Sequence, residues 1–171
     1  MKLPRTLRLD PSDTFVFDRA AEPGEWAVSG AFVFNRADPA SIGRKARVAM
    51  RSGFLGVDSL GWSTLVEVAE GEAEAVAQAL AAQLVAQFGA PDLAAALPAA
   101  REEVAFAASL CDLPVGTVIA VHRTQGPDGL VERFRTLTAR SDRAPAVFAL
   151  IETNDDPDHI DLTRLIGDGG P

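Results

Sequence analysis

Cysteine occurs once in these 171 residues, as Cys111; histidine occurs twice, and lysine only as Lys2 and Lys45. A single cysteine excludes a disulfide scaffold and fits a reducing compartment. With one thiol and two imidazoles far apart in sequence, no zinc set can be assembled by spacing. Long apolar runs are also missing. The longest uncharged stretch, residues 75–91, is broken by Gln78, Gln83, Gln87 and Gly89, well short of the ~20 apolar residues of a membrane-spanning helix. Residues 1–10 contain no apolar signal core, so a cytoplasmic location is expected. Neither a dinucleotide-binding glycine motif nor a P-loop occurs, and no serine sits in a Gly-x-Ser-x-Gly elbow. No cofactor and no metal is expected from these patterns.

What is present describes an ordinary domain. Hydrophobic residues make up 47% and charged residues 23%, which excludes intrinsic disorder. A chain of this length can bury roughly 70% of the surface it exposes when unfolded. Sixteen bases against 24 acids leave a net charge of -8, which argues against a protein that coats nucleic acid. The charge is uneven: residues 1–53 carry +3, residues 54–110 carry -7, residues 111–151 carry +1 and residues 152–171 carry -5. The acidity therefore concentrates in the middle and the tail.

The patterning predicts an α+β fold: an antiparallel sheet from the N- and C-terminal strands, packed against central helices. Residues 1–152 read as one domain and residues 153–171 as an acidic extension. Thr6 to Leu9, Thr14 to Phe17 and Trp26 to Phe34 read as strands. Ala21-Glu22-Pro23-Gly24 supplies hairpin turn chemistry, and Gly30 marks a bulge or a close backbone approach. Asp38-Pro39 can open a helix running to Arg51. A strand follows over residues 63–68. Val76, Leu80, Leu84 and Phe88 recur at four-residue steps in a helix over residues 72–88. Asp92 can cap a short turn, and Pro98 then opens a helix reaching Cys111. Residues 115–124 and 130–138 flank Gln125-Gly126-Pro127-Asp128-Gly129, a strong hairpin signal. Residues 146–152 read as a further strand.

Six groups of residues invite a reading as sites. Cys111 shares a helix face with Val104 and Ala107, which makes it a core residue rather than a nucleophile. If Ile119, Val121 and Phe134 face the core, the hairpin register pairs Arg123 with Glu132 and His122 with Arg133. His122, Arg133 and Arg135 then share the outer face as candidates for binding an anion. Arg44, Arg47 and Arg51 lie on one helix face as a candidate contact surface. Asp155, Asp156, Asp158, His159 and Asp161 lack the spacing of a calcium loop. Gly53-Phe54-Leu55-Gly56 has apolar central residues where a nucleic-acid clamp wants polar ones. Glu102-Glu103 and Glu72/Glu74 read as helix first-turn acids that do not converge on a substrate.

Several segments carry a family likeness: Phe15-Val16-Phe17, Gly24 through Phe32, Ser52-Gly53-Phe54-Leu55-Gly56, Phe106 through Asp112 with Pro114-Val115-Gly116-Thr117, and Ala120-Val121-His122-Arg123. Together they resemble a small family of uncharacterised alphaproteobacterial proteins, a domain of unknown function. The likeness covers residues 1 to about 138, and the segment beyond Arg140 looks like an extension. It implies an accessory role beside redox enzymes and supplies no catalytic residue. The expectation is a cytoplasmic accessory or binding protein without catalytic activity, taking a protein partner. The alternative is a small-molecule binder or enzyme acting on an anionic metabolite. Neither nucleic acid nor membrane is an expected partner.

Overall fold

The computed structural model describes residues 1–139 and the backbone of residues 148–150. Five strands form one antiparallel sheet in the order β1 (Lys2–Leu7), β5 (Leu65–Glu70), β6 (Val118–Gly126), β7 (Gly129–Ala139), β8 (Phe148–Leu150). Strands from both ends of the chain thus share one antiparallel sheet, as expected, with β5 between β1 and the C-terminal strands. A second, three-stranded sheet contains β2 (Ala27–Val28), β3 (Phe54–Gly56) and β4 (Trp62–Ser63). A bridge between Arg5 and Trp26 joins it to β1. The helices are α1 (Ser12–Val16), α2 (Arg44–Ser52), α3 (Ala73–Gln87) and α4 (Leu93–Ser109). None of these helices is long and apolar enough to cross a membrane.

The small sheet is buried on both faces. Ala27 and Phe54 pack with Val66, Val68, Ile119 and Val121 of the large sheet. Their neighbours Val28 and Leu55 point the other way, into Val76, Leu80, Ala100 and Val104 of α3 and α4. This is strand alternation at work: adjacent side chains leave opposite faces, so two short strands can serve two cores. A third cluster, Phe17, Phe34, Ala49 and Met50, seats α2 against the remaining flank.

Local chemistry overrides several sequence expectations. Thr14 to Phe17 is not a strand but lies largely in α1. Asp10 Oδ1 accepts from the Ser12 amide (2.7 Å) and Thr14 Oγ1 donates to the Pro11 carbonyl (2.6 Å), so helix-start bonds defeat the β propensity. Residues 21–24 consequently do not turn a hairpin; they lie against β1, where the Thr6 amide donates to Glu25 O (2.9 Å) and the Gly24 amide to Thr6 O (3.0 Å). The strand expected over Trp26 to Phe34 stops after Val28. Gly30 adopts φ +74, and a Cβ there would stand 2.5 Å from Leu55 Cβ; the chain then enters a 3-10 helix over Ala31–Phe34. The close-approach reading of Gly30 holds.

The helix expected from Asp38 starts only at Arg44. Asp38 closes a separate turn by accepting from the Ala40 amide (2.9 Å). The strand expected over residues 63–68 is divided between β4 and β5. Pro98, expected to open a helix, lies inside α4. Asp92 Oδ1 accepts from the Ala95 amide (2.8 Å), so the helix is capped six residues before the proline.

Candidate functional site

The β6–β7 hairpin has the predicted register, with His122 opposite Arg133 and Arg123 opposite Glu132. Alternation along β6 places Ile119, Val121 and Arg123 on the buried side. An arginine there carries a charge into the core, and it must be met by bonds. Arg123 is 1% exposed. Its Nε donates to Glu132 Oε1 (2.6 Å), Nη1 to the carbonyls of Gly53 (2.8 Å) and Met50 (3.2 Å), and Nη2 to the Ser29 carbonyl (2.6 Å). Ser29 Oγ closes the circuit by donating to Glu132 Oε1. The guanidinium thereby takes up carbonyls at the C-terminal end of α2, where a cation is favoured by the helix dipole.

Two other buried acids are also engaged by the chain. Glu25 accepts from the amides of Glu22 (2.8 Å), Asp58 (2.9 Å) and Ser59 (2.9 Å) and from Ser59 Oγ (2.5 Å). Asp13 accepts from Thr64 Oγ1 (2.9 Å) and from its amide (3.3 Å). These carboxylates fasten loops to one another.

Glu103 differs. Positions 99, 102, 103 and 106 of α4 are related by helical steps of three and four, so Ala99, Glu102, Glu103 and Phe106 share a face. With Phe32 of the 3-10 helix and Leu84 of α3, they line a groove of about 370 Å³, within the roughly 300–1,000 Å³ of small-molecule sites. Aromatic edges brace it: Phe32 meets Phe88 at 5.5 Å and Phe106 meets Phe134 at 5.9 Å between ring centroids. Glu103 Oε2 is buried without a hydrogen-bond partner. Burial pushes the Glu103 carboxyl up to about 7; the negative charge of Glu132 adds to this and Arg123 opposes it. The result is a carboxyl that exchanges its proton near neutrality on a wall it shares with Glu102, Ala99, Leu84 and two phenylalanines.

The sequence-based candidates lie elsewhere. His122, Arg133 and Arg135 are brought together on one exposed face of the sheet, as the register required, and none lines the groove. Arg44 and Arg51 are exposed on α2, while Arg47 is half-buried and its Nη2 donates to the Ile42 carbonyl (3.3 Å). Cys111 is buried in the core beside Val66 and Ile119, and burial pushes its thiol up to about 11. Phe54 and Leu55, between the glycines of the doubtful clamp, are buried strand residues. The acidic residues 155–161 lie outside the described residues. Among the described residues, no group of three His, Cys, Asp or Glu side chains is placed to hold a metal ion.

Glu102 and Glu103 correct the expectation that adjacent helix acids do not converge: both reach the same groove. The helix begins at Leu93 and not at Pro98, so they lie in its middle rather than in its first turn. The signal for Arg123 was present, an arginine at a core-facing position of an alternating strand with a glutamate opposite.

No curated protein and no solved structure matches the chain. One family model matches residues 1–156, beyond the point near Arg140 where the sequence likeness was expected to end. That match covers all the elements described above, groove and hairpin included, and the chain belongs to the family of unknown function DUF6505.

Proposed function

We propose that this protein is a non-enzymatic cytoplasmic accessory protein that binds a small molecule in the groove between the 3-10 helix, α3 and α4. One observation carries the reading: Glu103, whose Oε2 is enclosed beneath the surface without a hydrogen-bond partner, lines a largely apolar groove of small-molecule size. The buried groups Arg123, Glu25 and Asp13 are engaged in holding backbone, whereas the Glu103 carboxyl keeps unused bonding capacity in a residue that lines the groove. The arginines at 44, 47 and 51 and the acidic residues 152–171 are the proposed contacts for a protein partner. Support of a redox enzyme system and an alphaproteobacterial origin of the relatives rest on the family likeness alone.

A thermal-shift screen of small amphiphilic molecules, repeated on Ala99→Trp, tests the groove. At 100 times its dissociation constant a ligand adds about 2.7 kcal/mol of stability. The expected result is a set of hits that Ala99→Trp abolishes; hits indifferent to that substitution overturn the reading. A second reading, anion binding by His122, Arg133 and Arg135, is favoured by the pairing of His122 with Arg133 on one exposed face. In an NMR titration with inorganic phosphate, shifts centred on His122 would favour it over the groove.

A further inference from the structure

We propose that the groove selects a cation: its ligand is a small organic amine with an apolar, preferably aromatic, body, whose ammonium pairs with the Glu103 carboxylate. This rests on the groove being a binding site and names the ligand class. Three observations point to positive charge. First, the polar groups of the groove lining are the carboxyls of Glu102 and Glu103, with no basic side chain among its lining residues. Second, the base that acts on Glu103 and the base beside it on α4 are already engaged. Arg123 is fully enclosed by Glu132, Ser29 and three backbone carbonyls, and Arg101 on the same helix is held by Glu74 at 2.7 and 3.0 Å. Third, Phe32 and Phe106 stand on the groove wall, and a ring face stabilises a desolvated cation.

An anion would meet Glu102 and Glu103 with Glu132 behind them. A neutral ligand could accept a hydrogen bond from protonated Glu103 but would leave the carboxylate form without a counter-charge. An ammonium supplies the counter-charge that the Glu103 carboxylate lacks. Its arrival also drives the proton off Glu103. The charged groups that face Glu103 from other elements are Glu132 on β7 and Arg123 on β6, and because these two are bonded to each other they set a fixed background. Glu102, on its own helix, is exposed. Binding of the amine therefore strengthens as pH rises through about 7, since less protonated carboxyl has to be discharged.

The experiment is a calorimetric titration of the full chain with three isosteric probes: 3-phenylpropylammonium, 3-phenylpropanol and 3-phenylpropanoate. At about pH 8 the ammonium is expected to bind about tenfold or more tightly than the alcohol, and the carboxylate most weakly. That preference should shrink several-fold at about pH 6, and near pH 7 ammonium binding should release about half a proton, read from buffers of different ionisation enthalpy. Glu103→Gln should abolish both the preference and the proton release while alcohol binding persists, which shows that the groove is intact. If the alcohol binds as well as the ammonium, the cation assignment is overturned and the groove reading stands. If none of the probes binds, both fall. An ammonium preference that survives Glu103→Gln but is lost in Glu102→Gln also overturns the assignment to Glu103.

Discussion

At the residue scale, Glu103 is the group whose environment and chemistry are most at odds. An ionised carboxylate loses hydration in the groove wall and gains no hydrogen bond at Oε2 in return. Its folded value, about 7, lies above the ordinary 4.5. Between those two values the unfolded chain has released the proton and the folded chain retains it, so the native state binds more protons and stability falls as pH rises. Below about 4.5 both states are protonated and the group contributes no difference. Glu103→Gln imitates the protonated form at every pH. Compared with the parent by urea denaturation, it should be equal near pH 4.5 and more stable by about 1–3 kcal/mol near pH 8. Equal stability at both pH values would contradict the burial argument. None of this was legible locally, because the shift comes from burial in the folded chain and from the charge of Glu132 on β7, with Arg123 on β6 opposing it. The pairing of Arg123 with Glu132 was legible, since one alternating hairpin encodes it.

The element most dependent on a distant side chain is α2. Its carbonyls near the C-terminus, with that of Gly53, converge on Arg123, 70 to 73 residues later in the chain. A glycine follows the helix, but it is extended at φ -100 rather than left-handed, so the arginine supplies the capping donors that a helix-ending glycine motif would otherwise organise. Arg123→Met should cost about 3–5 kcal/mol by chemical denaturation, because it orphans the carbonyls and leaves the half-buried Glu132 without its counter-charge. Adding Glu132→Gln should recover part of that loss. A single-variant loss under about 1 kcal/mol would show the network to be dispensable. Misread elements share a cause with this dependence. Phe15-Val16-Phe17 has β propensity, yet its flanking Asp10, Pro11 and Ser12 provide helix-start bonds that pattern reading weighs too little. Pro98 reads as a helix opener, yet the Asp92 cap and burial of Ala96 and Ala100 carry the helix through it. The stripe Val76, Leu80, Leu84, Phe88 was identified correctly, but only its first half is core; Leu84 borders the groove.

At the scale of the whole molecule, β1 joins the parts. Although an edge strand of the large sheet, it pairs with β5 along its length, bridges to the small sheet through Arg5 and Trp26, and inserts Leu3 into the helix core. Deleting residues 2–7 would expose two sheet edges and part of two cores together. The expected outcome is loss of the cooperative unfolding transition in circular dichroism, not a modest drop in midpoint. A deletion variant that still unfolds cooperatively would show that β1 is an appendage. Charge has the same large-scale logic. The -7 of residues 54–110 is carried mostly by α3, α4 and their approaches, so the groove between these helices lies in the acidic part of the chain.

Composition and periodicity alone were sufficient for the fold class, the helical middle and the register of the hairpin; Cys111 is a core residue as expected, but past the end of α4 and against the sheets rather than on the helix face of Val104 and Ala107. The first three depend on contacts within one element or across one short turn, where alternation and helical spacing leave few choices. The groove and the buried network were decided only by tertiary structure. Ser29 and Glu132 stand 103 residues apart, and no pattern along the chain records that they meet. Desolvation and charge are sums over everything packed nearby, so the same glutamate is an ordinary surface acid in one arrangement and a neutral-pH proton donor in this one.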